Sequence, residues 1–455
     1  MGRMFGTDGI RGVANIDLTP EIALKTGRAV AALLREQQEN QQGDQQESSR
    51  PCFIIGTDTR ISCKMLENAL VAGITSAGVD VRLLGVVSTP SVSYLIRHLK
   101  AAGGVMVSAS HNSFEDNGLK FFNSQGHKLD SKLEEEVESL YFKEADPLPR
   151  PTGKDIGRCY RSEKVVGEYL AYLKEHAPSL QGLKIALDCA NGSLYRIAPR
   201  LLKELGAEVV SLSTNPDGGN INVNCGSTSP EKLQALVKKT GAHAGLAFDG
   251  DGDRLIAVDE KGELVDGDAI MVICASYLKE KGALAGDVVV ATVMSNGGVD
   301  IVAGERGFRF LRTRVGDRYV LEEMLKGGYV LGGEQSGHII FSQILPTGDG
   351  LLTALQLLKV TIEKNAPLSQ LAGVIPRLPQ ILINCRVQEK DGWQENPRLS
   401  QALETARERI GPKGRVLVRP SGTEPLIRIM MESEDYDLID RLSRELAAIF
   451  KEVLE

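Results

Sequence analysis

Three stretches of this chain repeat one plan: an apolar run ending in small polar residues, a helix-forming stretch, a glycine, and a second apolar run. The first runs from Cys52 to Gly56, ends in Thr57-Asp58-Thr59-Arg60, and continues as a helix from about Lys64 to Ala77 and a strand from Val79 to Leu84. The second runs from Leu183 to Leu187 into Asp188-Cys189-Ala190-Asn191-Gly192, then a helix to about Leu205, Gly206, and a strand from Ala207 to Leu212. The third runs from Asp287 to Val293 into Ser295-Asn296-Gly297-Gly298, then a helix, Gly307, and a strand from Phe308 to Thr313. Such a unit buries its apolar faces only when its strands lie in a sheet covered by helices. The recurrence therefore predicts three similar α/β domains with mostly parallel mixed sheets. The remainder differs. Strands at Pro379 to Val387, Arg415 to Val418 and Leu426 to Glu432, a helix from Pro397 to Ile410 and a long final helix predict a C-terminal α+β domain.

A chain of 455 residues exceeds what one core can hold, and the expected domains are 1–157, 158–255, 256–372 and 373–455. The Pro-Leu-Pro-Arg-Pro run at 147–151 supports the first boundary. Thr19-Pro20-Glu21 supplies a cap, a proline and a first-turn acid for a helix expected to run to about Glu36. Gln37 to Ser49 is polar and glutamine-rich and reads as a mobile surface loop.

The net charge of −7 argues against a nucleic-acid binder but leaves room for an anionic substrate at a few local arginines. Seven scattered cysteines without a C-x-x-C pair suit reduced thiols, not a disulfide framework or a zinc site. No apolar run reaches the length of a membrane span, and Met1 to Gly6 lacks the apolar core of a signal peptide. A soluble cytoplasmic protein is expected.

Candidate chemistry starts in Gly103 to Phe122. The apolar run Gly104 to Val107 breaks into Ser108-Ala109-Ser110-His111-Asn112, a strand ending in a loop. Ser110 is a nucleophile candidate, Asp116-Asn117-Gly118 reads as a turn, and Lys120 is an acid/base candidate. The ordinary reading, a Ser/Asn-rich turn with a solvated lysine, stands beside it. Adjacency along the chain tends to point Ser110 and His111 apart, which weakens a Ser-His dyad. Near the N-terminus, Phe5-Gly6-Thr7-Asp8-Gly9-Ile10-Arg11-Gly12 can bring amides and the Arg11 guanidinium to an anion, or serve only as an anchoring turn.

The most specific stretch is Phe248-Asp249-Gly250-Asp251-Gly252-Asp253-Arg254. Three carboxylates at alternate positions can curl around one hard divalent cation and would repel one another without it. Calcium is an alternative, since Glu260 stands where an EF-hand loop has its last ligand. Arg254, however, occupies the place where that loop needs glycine, and the flanks read as strands. Magnesium is favoured. In Gly332-Gly333-Glu334-Gln335-Ser336-Gly337-His338, Glu334 and Ser336 can meet sugar hydroxyls and His338 can exchange a proton, although a satisfied core histidine is the ordinary alternative. Arg419-Pro420-Ser421-Gly422-Thr423-Glu424-Pro425, with Arg428, offers the donors a phosphate monoester needs. Neither a G-x-x-x-x-G-K-[ST] loop nor a G-x-S-x-G elbow occurs, against nucleotide binding through a P-loop and against Ser110 as a hydrolase nucleophile.

In this order, S-A-S-H-N, D-G-D-G-D-R, G-E-Q-S-G-H and R-P-S-G-T-E-P resemble the α-D-phosphohexomutase family along the whole chain. F-G-T-D-G-I-R-G and G-G-E-Q-S-G-H look most like its amino-sugar branch; the mannose and glucose branches, which usually differ at Gln335, are the alternative. The resemblance implies four domains around a central cleft. It also implies a phosphoserine at Ser110, and Mg2+ held by that phosphate with Asp249, Asp251 and Asp253. Arg11 and Lys120 would lie beside the phosphoserine, Lys120 and His338 would exchange protons, and Arg254, Glu334 and Ser336 would contact substrate. Arg419, Ser421, Gly422, Thr423 and Arg428 would hold the non-reacting phosphate. The implied reaction moves a phosphoryl group between O6 and O1 of a glucosamine phosphate through glucosamine 1,6-bisphosphate. The expected partners are a hexosamine phosphate and a second copy of the chain as a homodimer, with no nucleic acid and no membrane. Ser113 stands where the family usually has proline, which removes no ligand. A non-catalytic calcium or sugar-phosphate binder is the competing class, and it predicts an unmodified Ser110.

Overall fold

The computed structural model describes residues 4–6, 8–42, 50–390, 392–411, 414–420 and 426–454. They divide into two compact units, one running up to Met294 and taking in Arg306–Val374, the other made of Ser295–Glu305 and the chain from Ile375 onward. Among the described residues no helix is long and apolar enough to cross a membrane.

The first unit carries three sheets. In the first, Gly103–Val107, Cys52–Thr57, Asp80–Val86 and Cys159–Arg161 form a parallel ladder, and Asp116–Asn123 and Ile10–Val13 add antiparallel strands at one edge. Alternate side chains leave by opposite faces of a strand. Accordingly Phe53, Ile55, Val105, Val107, Leu119 and Phe121 enter one core, and Ile54, Met106 and Phe122 enter another. Helices Pro20–Gln42 and Cys63–Ser76 cover the first face, and Thr89–His98 covers the second. Covered on both faces, Gly103–Val107 is buried at every position, which explains its uninterrupted apolar spelling.

The second sheet has the order Leu264–Val265, Leu255–Asp259, Ala244–Phe248, Lys184–Asp188, Glu208–Leu212, with the aspartate loop joining two antiparallel neighbours. The third has the order Arg309–Thr313, Val288–Thr292, Leu331–Gly333, Ile339–Phe341, and Glu334 to His338 form the hairpin connection at one edge. The second unit packs helices Pro397–Ile410 and Tyr436–Leu454 on an antiparallel sheet in the order Gln380–Arg386, Leu426–Glu432, Arg415–Pro420. Three mixed α/β sheets and a C-terminal α+β sheet agree with the pattern read from sequence.

Two local expectations fail. The first helix continues to Gln42, past Glu36, because Gln and Glu are good helix formers and nothing in 37–42 breaks a helix. Asp116-Asn117-Gly118 is not a turn but the start of strand Asp116–Asn123, captured by pairing with Ile10–Val13 from far along the chain.

In the first sheet, parallel strands bring their carboxyl ends to one edge. The turns after Val107, Thr57 and Val86 therefore meet there, and they carry Ser110, Arg60 and Thr89. Helix Gly350–Lys364 abuts the aspartate loop, since the Gly350 amide donates to the Gly252 carbonyl at 3.1 Å. Its cap, Asp349, accepts from the Leu351 and Leu352 amides and from the Tyr169 hydroxyl at 2.8 Å. Burial pushes the Asp349 carboxyl up to about 6, with those hydrogen bonds opposing. A carboxyl that binds its proton more tightly folded than unfolded stabilises the fold below its unfolded value and loses that contribution as pH rises through the folded one. Relative to Asp349→Asn, the wild-type protein is therefore expected to lose on the order of 3 kcal/mol of unfolding free energy between about pH 4 and pH 6, read by urea titration at each pH.

Candidate active site

Ser110 sits in the left-handed region, with φ of 53°. Its loop is held there by backbone contacts to a buried arginine. Arg60 Nη2 donates to the carbonyls of Ser110 (3.0 Å) and Asn112 (2.9 Å), and Nη1 donates to those of Asp116 (3.1 Å) and Ser113. Arg60 Nε in turn donates to Asp58 Oδ2 at 2.9 Å. Asn222 Nδ2 donates to the same two carbonyls, Ser110 and Asn112, at 2.9 Å each. The Ser108 hydroxyl donates to Asp58 Oδ2 (2.6 Å) and accepts the Ser110 amide (2.9 Å). The turned backbone brings Ser110 Oγ within 3.3 Å of His111 Nδ1, so these neighbours converge where sequence adjacency suggested they would diverge. Burial, then Arg254 and Arg11, lower the His111 pKa to about 4, which leaves a neutral imidazole at physiological pH.

Asp249, Asp251 and Asp253 are buried, and one carboxylate oxygen of each lies within 4.8 Å of the others. Ser110 Oγ donates to Asp249 Oδ2 at 2.6 Å. Glycine is required at position 250, where a Cβ would fall 2.4 Å from the Ser110 carbonyl. Asp251 Oδ2 accepts from Lys120 Nζ (2.8 Å) and Thr89 Oγ1 (2.6 Å), while Oδ1 of Asp251 and Oδ1 of Asp253 are buried with no hydrogen-bond partner. Burial and then the charges of Asp253 and Asp251 push Asp249 well above the usual carboxylate range. Burial also opposes ionisation of Asp253, but Lys120, His338 and Arg254 outweigh it and hold that carboxyl well below the usual range. Unpartnered buried carboxylate oxygens are costly unless a cation meets them, and an all-oxygen set of this kind fits a hard divalent ion.

Lys120 is buried, not solvated, and contacts Asp251, Asp8 (3.0 Å) and Asp253 (3.5 Å). Burial disfavours its charge, yet those carboxylates raise its pKa well above the ordinary value. Lys128 bridges Asp8 and Asp317, the latter at 2.6 Å. His338 completes the circuit with Nδ1 3.5 Å from Asp253 and Nε2 3.6 Å from Asp317. Burial works against its charge, but Asp253 and Asp317 raise its pKa. The imidazole fits because position 348 is glycine, where a Cβ would lie 2.3 Å from the ring.

Arg11 contacts Asp8 (2.6 Å) and Asn112 Oδ1 (3.4 Å). The Arg254 amide donates to Asp249 Oδ1 at 3.2 Å, and residues 254 and 338 form a β-bridge that joins the aspartate loop to the hairpin. In that hairpin Glu334 Oε1 accepts the Gly316 amide at 3.1 Å, and Ser336 is exposed. Within the second unit, the antiparallel register sets Arg419 directly opposite Arg428. Ser421, Gly422 and Thr423 lie outside the described residues.

Four phosphoglucomutase/phosphomannomutase family models match in order: α/β/α domain I over residues 2–147, domain II over 167–262, domain III over 266–378 and the C-terminal domain over 382–449. The chain belongs to the phosphoglucomutase/phosphomannomutase family. It is 52% identical, over 100% of both chains, to a phosphoglucosamine mutase of Symbiobacterium thermophilum. A phosphoglucomutase/phosphomannomutase family protein from Burkholderia thailandensis has a similar crystal structure, with a TM-score of 0.80 and 26% identity, covering 99% of this chain and 97% of that one. At 17% identity, the fold also matches Aspergillus fumigatus N-acetylphosphoglucosamine mutase in complex with GlcNAc-6P and magnesium, with a TM-score of 0.68 over 100% and 96% of the two chains. This chain is accordingly an isomerase, a phosphohexomutase.

Several residues of this candidate site carried no assignment from sequence. Asp58 and Arg60 form the polar turn of the first repeat, visible without a role, and Asp8 lies in the first glycine-rich loop, where only the amides and Arg11 were singled out. Thr89, Lys128, Asn222 and Asp317 have no local signature, because each acts on a partner far away in sequence. Gly250→Ala is expected to force the serine and aspartate loops apart. Turnover should then fall at least about tenfold, with an unchanged far-ultraviolet circular dichroism spectrum, since small misplacements of reacting groups cost rate steeply.

Proposed function

We propose that this phosphohexomutase interconverts glucosamine 6-phosphate and glucosamine 1-phosphate through a phosphoserine at Ser110 and glucosamine 1,6-bisphosphate. The observation that carries this reading is Ser110 Oγ seated 2.6 Å from Asp249, beside two buried carboxylate oxygens without partners. A serine facing a buried carboxylate cluster suits phosphoryl storage and return. The choice of sugar rests on the likeness to a phosphoglucosamine mutase at 52% identity along the whole chain.

Asp249, Asp251 and Asp253 would hold Mg2+, which when bound neutralises charge on a phosphoryl group in transit. In the first half-reaction the P–O bond to Ser110 Oγ breaks as a P–O bond to sugar O1 forms. The O1 proton leaves to a base and the serine oxygen regains one. In the second half-reaction the bisphosphate, turned round, returns its 6-phosphoryl group to Ser110 by the same exchange at O6. Lys120, kept as an ammonium by its carboxylates, serves as acid and anchor, and His338 and the neutral His111 are the imidazoles available for proton exchange. Arg11 steadies the serine loop through Asn112. Arg254, Glu334 and Ser336 are assigned to the sugar and its reacting phosphate. Arg419 and Arg428, with Ser421, Gly422 and Thr423, are assigned to the distal phosphate, where paired guanidiniums suit a phosphate monoester. Cysteines that are all free suit work in the cytoplasm.

Intact mass spectrometry of the active enzyme should find one added phosphoryl group, absent from Ser110→Ala. That variant should lose turnover by several orders of magnitude while still binding sugar phosphate. Rates on glucosamine, mannose and glucose 6-phosphates test the sugar: a preference for either neutral sugar would overturn the assignment. Near-normal turnover by Ser110→Ala would overturn the nucleophile.

A further inference from the structure

Helix Thr89–His98 begins against the aspartate loop in an unusual way. Its N-cap, Ser88, makes no side-chain cap hydrogen bond. Thr89, the first helical residue and 1% exposed, spends both its donors outside the helix. The Thr89 amide donates to the Asp251 carbonyl at 2.9 Å, and Thr89 Oγ1 donates to Asp251 Oδ2 at 2.6 Å. Lys120 Nζ takes the same Oδ2 at 2.8 Å. Asp251 is thus fixed at its backbone and at one carboxylate oxygen, and its other oxygen, Oδ1, is left buried without a partner beside Asp249 and Asp253.

From this geometry we infer that Thr89 is a positioning residue for the cation site. It decides which oxygen of Asp251 faces the ion and holds that oxygen in place before the ion arrives. Three features separate this from ordinary helix capping. Both donors go to one residue of a different sheet's loop. The carboxylate they fix belongs to the acid cluster. The fixed oxygen takes two donors while the other oxygen of the same carboxylate has none. A carboxylate with Oδ2 held by two donors cannot rotate about its Cβ–Cγ bond without breaking both, so little ordering is left to be done when the ion binds. Donors that orient metal-binding side chains in this way typically change metal affinity about 10- to 100-fold when removed. Sequence alone gives no hint of it, because Thr89-Pro90 reads only as a helix start.

The inference rests on the proposed metal role of the three aspartates, and the test separates the two. Isothermal titration of Mn2+ into the full-length protein is compared for wild type, Thr89→Val, which keeps the shape and removes the hydroxyl, and Thr89→Ser, which keeps the hydroxyl and removes the methyl. The expected result is a dissociation constant about 10- to 100-fold weaker for Thr89→Val and near wild type for Thr89→Ser, with the two metal-free melting temperatures alike. Wild-type affinity in Thr89→Val overturns the inference and leaves the metal reading intact. Equal weakening in both variants also overturns it, since packing rather than the hydroxyl would then be responsible. Failure of the wild-type protein to bind the ion overturns both. If Thr89→Val does not fold, Thr89→Ala takes its place with the same expectation.

Discussion

Three carboxylates buried in one loop repel each other, and Lys120 is the counter-charge that lets the first unit close over them. It reaches Asp251, Asp253 and Asp8 at once. From it runs a closed circuit of alternating basic and acidic groups: Lys120 to Asp8, Asp8 to Lys128, Lys128 to Asp317, Asp317 to His338, His338 to Asp253, and Asp253 back to Lys120. The circuit passes through the N-terminal loop, the first sheet, helix Asp317–Gly327, the hairpin and the aspartate loop. No charge in it is placed by one contact alone. Removing one member leaves its neighbours buried and under-compensated, so effects at these positions are expected to be strongly non-additive.

The backbone prepares that arrangement before any charge is considered. Parallel strands deliver the serine, Asp58–Arg60 and Thr89 turns to one edge, while the aspartate loop comes from a neighbouring sheet's antiparallel pair. Gly250 and Gly348 remove the side chains that would hold Ser110 and His338 at a distance. Close packing and opposite charge therefore act on the same few atoms.

What could be read from sequence follows from how local each feature is. The aspartate cluster was legible because its three carboxylates, at alternate positions 249, 251 and 253, are already close along the chain. The three repeated units were legible because apolar periodicity reports burial on both faces of a sheet. Ser110, Lys120 and His338 stood out only as chemically able residues in suggestive loops; their meeting depends on strand register between distant segments. The sharing of Asp251 by Lys120 and Thr89 was illegible for the same reason. The convergence of Ser110 and His111 needed a positive φ that no propensity of serine announces. The extension of the first helix to Gln42 is the opposite case: a polar, glutamine-rich stretch reads as a surface loop although its first residues favour helix, and residues 43–49 of that stretch lie outside the described residues.

Arg60 and Asn222 grip the serine loop by carbonyl oxygens at 110, 112, 113 and 116. Every amino acid owns such an oxygen. The side chain at position 113 is exposed, and Arg60 holds that residue by its carbonyl alone. The mounting of Ser110 is thereby uncoupled from the side chains that follow it, and a substitution at 113 that leaves the backbone path alone should leave Ser110 Oγ where it is.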